Sequence, residues 1–249
     1  MELGLTGRVA LITGGGRGIG AATARELARE GCDVALVDLE AFEAAETLAR
    51  EIHASGRRAL ALRADVSSLA AAESVVQTVV REFGRFDILV CNAGITRDAM
   101  VWKLTEAAWD QVLAVNLKGS FVYCRAAAPV FRAQRSGRIV TIASINGLRG
   151  KAGQANYAAS KAGMVALTKT VARELGPAGV TANCIAPGMV RTGMAELVPP
   201  ELRERALAET VVGRIAEPED VAGMVAFLCS GRARHLTGTV IKVDGGQYM

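Results

Sequence analysis

Histidine is almost missing from this sequence: His53 and His235 are the only two among 249 residues. A histidine-based triad or zinc site therefore lacks its usual material. The five cysteines (Cys32, Cys91, Cys124, Cys184 and Cys229) stand in mostly apolar surroundings with no C-x-x-C pair. An odd count without metal-ligand spacing reads as buried free thiols in a reducing compartment, with no metal expected. No apolar run approaches the ~20 residues of a membrane span. The first strand pattern begins within eight residues, which leaves no room for a signal peptide. Charge of one sign is not concentrated either. The net charge is +4 and the basic residues are scattered, so nucleic acid is not an expected partner. Linkers, low-complexity tracts and repeats are also lacking. What is present, 51% hydrophobic residues, suffices for one large core, so a single soluble, cytoplasmic domain over residues 1–249 is expected.

Strand-like and helix-like segments alternate along that domain. Arg8–Thr13 reads as a buried strand, and Ile19–Glu30 as a helix ended by Gly31, a residue suited to the left-handed cap. Strand Asp33–Asp38 and a helix with apolar Phe42, Ala45, Leu48, Ala49 and Ile52 follow. Strand Ala59–Arg63, helix Leu69–Phe83 and strand Phe86–Cys91 continue the pattern. A long helical region spans roughly 105–134, then come a strand from Arg138, a helix carrying Tyr157 to about Leu175, and strand Val180–Ile185. Pro218 opens a helix with Glu219 and Asp220 in its first turn, where acids suit the dipole, and Thr239–Val243 closes the sheet. Such alternation predicts an α/β fold, a Rossmann-like doubly wound parallel sheet of about seven strands with helices on both faces.

Ligands of such sheets sit beyond the carboxyl ends of the strands. The first βα turn, Thr13-Gly14-Gly15-Gly16-Arg17-Gly18-Ile19-Gly20, is glycine-rich, which permits a tight turn and lets backbone amides approach a pyrophosphate. A glycine-rich turn alone is weak evidence. Its place between a strand and a helix turns it into a nucleotide hypothesis. Asp38 ends the second strand, near the expected acid that binds a ribose hydroxyl, although a plain turn carboxylate would look the same. Asp65 after the third strand is placed to reach an adenine, and Asn92-Ala93-Gly94 after the fourth to lie against the cofactor.

The chemistry concentrates between Arg138 and Lys161. A β-branched run ends at Ser144, a glycine-rich loop covers 146–153, and Tyr157-Ala-Ala-Ser-Lys161 opens a helix. Positions i and i+4 share a helix face, so the Tyr157 phenol and the Lys161 ammonium can point into one space. A phenol titrates near ~10, and a neighbouring cation is expected to lower that value and make Tyr157 usable for proton transfer. Ser144 is placed to donate a hydrogen bond to the same substrate oxygen. Alone, Tyr-x-x-x-Lys is most often an ordinary solvated pair; the rest of the chain is what asks for a catalyst here.

Taken together, Thr13-Gly-x-x-x-Gly-x-Gly20, Asp65-Val66, Asn92-Ala-Gly94, Asn116, Ser144, Tyr157-x-x-x-Lys161 and Pro187-Gly188 resemble the short-chain dehydrogenases/reductases over essentially the whole chain. Asn92–Asp98, Gln154–Ala159 and Val243–Tyr248 are similar to the 3-oxoacyl-[acyl-carrier-protein] reductase branch. The resemblance implies that Tyr157 is the proton donor or acceptor, that Lys161 tunes it and holds nicotinamide-ribose hydroxyls, and that Ser144 polarises the carbonyl. It further gives Asn116 a water-linked proton path to Lys161, and places Pro187, Gly188, Val190 and Thr192 beside the nicotinamide. Cofactor contacts are expected from Gly14, Arg17, Gly18, Ile19, Gly20, Asp38, Asp65, Val66, Asn92, Ala93 and Gly94. Residues 189–212 correspond to a substrate-covering insertion, with Met189, Met194 and Leu197 hinting at an apolar wall. Arg132 and Arg173 match arginines that meet an acidic acyl carrier protein, and a homotetramer is implied. One departure stands out. That branch usually uses NADPH and lacks an acid at Asp38, whose charge would repel a 2′-phosphate. Arg17 points the other way, since NADP-dependent relatives pair such a residue with the phosphate, unless it pairs with Asp38 itself. NAD(H) is therefore the expected cofactor, with NADP(H) the alternative. The alternatives for function are acetoacetyl-CoA reductase, a general secondary-alcohol or sugar dehydrogenase, and a non-catalytic dinucleotide-binding regulator.

Overall fold

A computed structural model describes residues 3–196 and 198–249. The expected alternation is present: β1 (Val9–Thr13), α1 (Gly18–Arg29), β2 (Asp33–Asp38), α2 (Phe42–Ala54), β3 (Ala59–Arg63), α3 (Leu69–Phe83) and β4 (Ile88–Cys91). Then come α4 (Glu106–Val112), a π-helical turn over Leu113–Lys118, α5 (Gly119–Gln134), β5 (Gly137–Ile142), α6 (Asn146–Arg149), α7 (Ala155–Leu175) and β6 (Val180–Pro187). The chain closes with α8 (Gly193–Glu196), α9 (Pro200–Glu209), α10 (Pro218–Cys229) and β7 (Val240–Val243). The strands lie in the order β3-β2-β1-β4-β5-β6-β7, all parallel, so the chain reverses direction across the sheet between β1 and β4.

Period-2 alternation sorts the strand side chains onto two faces. Ala10, Ile12, Val34, Leu36, Val140 and Ile142 pack under α1, α2 and α10. Val9, Leu11, Ala35, Val37, Leu89 and Ile139 pack under α3, α5 and α7. Because both faces are covered, the inner strands β1, β2 and β4 are buried runs of mostly Val, Ile, Leu and Ala, while the edge strands β3 and β7 are mostly half-buried. All five cysteines lie free in this interior.

Three local features departed from expectation. The helical region over 105–134 is three pieces, because a wider π turn interrupts the regular helix at 113–118. The glycine-rich loop after β5 contains the single-turn helix α6. Residues 189–212 carry two helices, α8 and the longer α9 over Pro200–Glu209. Glycines conceal short helices, since their propensity is poor and a single turn leaves no periodicity to read.

Candidate active site

The carboxyl ends of β1, β4, β5 and β6 converge on one cleft. On its first side the glycine turn is pressed against the loop after β4. Gly14 has φ +64, and a Cβ there would lie 2.9 Å from both Ala93 Cα and Asn92 Nδ2. A Cβ on Gly20 would fall 2.0 Å from the Gly14 carbonyl oxygen, so no other residue fits without moving backbone. Asn92 fastens the two loops, its Nδ2 donating to the carbonyls of Thr13 at 2.9 Å and Gly14 at 3.0 Å. The Thr13 hydroxyl oxygen accepts from the backbone N–H groups of Asn92 and Ala93 at 3.0 and 3.1 Å. Asn92 thus shapes the turn, and Thr13 is a site-building residue beyond those expected to touch a cofactor.

The start of α1 fits a diphosphate. Arg17 occupies the N-cap without a side-chain cap hydrogen bond, so the first-turn amides keep an anion-binding aspect. Across the cleft from Gly18 (φ +53) stands Thr192, 3.2 Å from where a Gly18 Cβ would be. The loop after β6 carries it. The Pro187 carbonyl accepts from Ile145 N–H at 3.0 Å and Gly188 N–H donates to Val243 at 3.1 Å, while Val190 is buried.

Asp38 closes the other end. Its Oδ2 accepts from Gly16 N–H at 3.1 Å and its Oδ1 from Ala41 N–H at 2.9 Å, so the carboxylate is held facing the glycine turn. Arg17 does not pair with it. Its guanidinium lies 3.4 Å from Glu40, with both side chains 70% exposed, a pairing that costs little to break. Asp65 is exposed, and its Oδ1 accepts from the N–H and hydroxyl of Ser67, both at 2.8 Å. Val66 packs near Gly119.

The groups expected to react meet at the end of β5. Lys161 is buried, and its ammonium donates to the Ile142 carbonyl at 2.7 Å. It stands 5.6 Å from the centroid of the Tyr157 ring. Tyr157 is half-buried as a whole, yet burial of its hydroxyl pushes the phenol up to about 12, while hydrogen bonding with Ser144 pulls the other way. This reverses the expected direction. The lysine that was to lower the phenol pKa is itself desolvated, its own pKa lowered to about 8. Tyr157 therefore holds its proton at neutral pH and suits a donor's role.

Asn116 is fully buried in the π turn. Its Oδ1 accepts from Ile95 N–H at 2.8 Å, and its Nδ2 donates to the Ile95 carbonyl at 3.1 Å and to Ser160 Oγ at 3.0 Å. The amide clamps the β4 loop to α7. A Cβ on Gly94 would lie 3.3 Å from Asn116 Oδ1 and 3.4 Å from Lys161 Nζ, so glycine lets the loop pass between them.

Two expected groups lie elsewhere. Arg132 and Arg173 are exposed in the last turns of α5 and α7. Those helices run back toward the amino ends of β5 and β6, the edge of the sheet opposite the cleft. Residues 189–212 do line a cavity of about 260 Å³ with Met189, Thr192, Ala195 and Leu207. Met194 is partly exposed, and Leu197 lies outside the described residues.

The sequence model of the family described as "Enoyl-(Acyl carrier protein) reductase" matches residues 14–247. The 3-oxoacyl-[acyl-carrier-protein] reductase FabG of Staphylococcus aureus is 42% identical over 96% of this chain and 98% of its own length. The enzyme of the same name from Thermotoga maritima is 42% identical over 97% of this chain and 98% of its own. Among solved structures, a short-chain dehydrogenase from Burkholderia cenocepacia J2315 in complex with NADP superposes with a TM-score of 0.92 at 38% identity, covering 98% of both chains.

Proposed function

The chain belongs to the short-chain dehydrogenase/reductase family, and from that premise we propose that it reduces the ketone of a 3-oxoacyl thioester to a secondary alcohol, preferring NADH. The observation that carries this reading is the Ser144–Tyr157 hydroxyl pair beside Lys161, at the end of β5 in a glycine-walled cleft. Identity near 42% over almost the full length of 3-oxoacyl reductases supports the substrate class.

The uncapped α1 start, Gly14, Gly18 and Gly20 would receive the diphosphate, Asp38 the adenosine ribose, and Thr192 the nicotinamide carboxamide. When bound, the nicotinamide supplies the hydride. Ser144 donates to the ketone oxygen and orients it. Tyr157, protonated because its hydroxyl is buried, gives its proton to that oxygen as negative charge develops. Lys161, fixed by the Ile142 carbonyl, holds positive charge close to the developing alkoxide and would hold the ribose hydroxyls of the bound dinucleotide. Residues 189–212 cover the substrate and exclude water.

The test is NADH oxidation with acetoacetyl thioesters, simple ketones, sugars and an enoyl thioester as a control. Turnover confined to sugars or to the enoyl substrate, or none at all, sinks the reading.

The thioester's carrier is a finer matter. Arg132 and Arg173 project from the sheet edge opposite the cleft, so an acidic acyl carrier protein on them would deliver its thioester to an adjoining chain of a homotetramer. Arg132→Glu combined with Arg173→Glu then lowers kcat/KM on carrier-bound substrate about tenfold or more, while acetoacetyl-CoA is unaffected, since each exposed charge contact is worth up to about 1 kcal/mol and reversing it doubles the change. Equal effects on the two substrates would remove the carrier from the account.

A further inference from the structure

Ser144 is tied to the covering segment through two residues with no assigned part in the reaction, Asn146 and Arg149. Asn146 opens α6, and its backbone N–H donates to Ser144 Oγ at 3.1 Å. A serine oxygen that accepts in this way keeps its own proton for Tyr157 or a substrate oxygen. The Asn146 side chain is gripped from both sides. Its Nδ2 donates to Gln154 Oε1 at 3.0 Å, and its Oδ1 accepts from Arg149 Nε at 3.3 Å.

Arg149 reaches on to α9. Its two terminal nitrogens each lie 3.1 Å from Oε2 of Glu209, the last residue of that helix, and Nη1 also donates to the Gln247 carbonyl at 3.3 Å. Gln247 returns a bond to Glu209 at 3.2 Å and accepts from Met189 N–H at 3.0 Å, where the covering segment begins. The Arg149 and Glu209 side chains are 23% and 33% exposed, far less than Arg205, a second cation paired with Glu209, at 78%. A cavity of about 340 Å³ separates the α6 loop from α9 around this contact.

A four-residue helix has too few internal bonds to hold its own shape. The geometry of α6, and with it the donor that orients Ser144, therefore depends on side-chain ties, of which those of Arg149, to Glu209 and to the Gln247 carbonyl, reach beyond the loop to α9 and the C-terminal segment. We propose that Arg149 is a positioning residue that couples the docking of α9 to the orientation of the Ser144 hydroxyl. The inference rests on the reading of 189–212 as a covering segment. Docked, Glu209 fixes Arg149, Arg149 fixes Asn146, and Asn146 N–H holds Ser144 Oγ. Undocked, the guanidinium loses its carboxylate and the turn loosens.

The experiment uses the cofactor-loaded enzyme with Arg149→Ala, Glu209→Ala, the double variant, and Arg149→Lys. Each alanine variant lowers kcat by about ten- to a hundredfold, the scale of a misplaced catalytic group, without changing KM for the dinucleotide. The double variant is no slower than the slower single one, because the two act as a unit. Arg149→Lys, which keeps the charge and one hydrogen bond, recovers part of the loss. Hydrogen exchange in Glu209→Ala rises over 144–149 as well as over 200–209; Glu209→Gln serves the same purpose if the alanine variant does not fold. Additive losses in the double variant, or exchange confined to 200–209, would overturn the proposal. If the wild type reduces no 3-oxoacyl thioester, the proposed activity falls, and the exchange pattern alone then decides whether α9 and Ser144 are coupled.

Discussion

Tyr157→Phe abolishes most turnover, by about 10²–10⁴-fold, the usual cost of a lost general acid, and leaves dinucleotide binding intact. The ring stays on α7, so its packing is preserved; only the transferable proton goes. The environment makes this the most sensitive atom of the cleft. Burial raises the phenol pKa to about 12, so in the wild type Tyr157 is protonated throughout the neutral range. The loss is accordingly the same at pH 6 and at pH 7, where Lys161 also keeps its charge. Steady-state kinetics at both pH values, with cofactor affinity from fluorescence titration, checks it. A folded variant with near-normal turnover would show that Ser144 or a water supplies the proton.

Asp38→Ser moves cofactor preference from NADH toward NADPH by about a hundredfold in the ratio of kcat/KM values. In the wild type the carboxylate is held in place by Gly16 N–H and Ala41 N–H and each oxygen retains capacity to accept from a ribose hydroxyl. A 2′-phosphate would stand against that fixed charge. Two unit charges 4 Å apart at an effective dielectric of 20 repel by about 4 kcal/mol. Half-burial and counter-ions reduce this, and a hundredfold change corresponds to about 2.7 kcal/mol. Serine removes the charge and keeps a small hydrogen-bonding group. Arg17 then leaves its exposed contact with Glu40 and meets the phosphate. The solved relative at 38% identity holds NADP, which makes the wild-type ratio the decisive measurement. A wild type that prefers NADPH would mean that Arg17 outweighs Asp38 despite its distance from it.

What could be read from the residues alone is what local patterning dictates. The strand runs from Val9, Asp33 and Val180 were legible because burial on both faces demands continuous apolar β-formers. The turn over 14–20 was legible because a backbone needing φ +64 and φ +53 at Gly14 and Gly18 must be written in glycine. Tyr157 and Lys161 share a helix face by their spacing alone. Each of these features is fixed within a few residues of itself.

The tertiary structure decided everything that depends on residues distant in sequence. Whether Tyr157 is acid or base at rest follows from how deeply its hydroxyl is enclosed, and the same enclosure acts on Lys161 in the opposite sense, because burial disfavours whichever form is charged. Arg17 lies against Glu40, while the Asp38 oxygens face the Gly16 and Ala41 amides. Asn116 became a clamp on Ile95 only when the π turn brought it there. Arg132 and Arg173 fell on the far edge because helices in a parallel sheet run back against the strands. Arg149 and Glu209 lie 60 residues apart in the chain and share no motif. Only the docking of α9 brings them together, since a charge pair of that separation leaves no periodicity and takes its meaning from the cavity it closes.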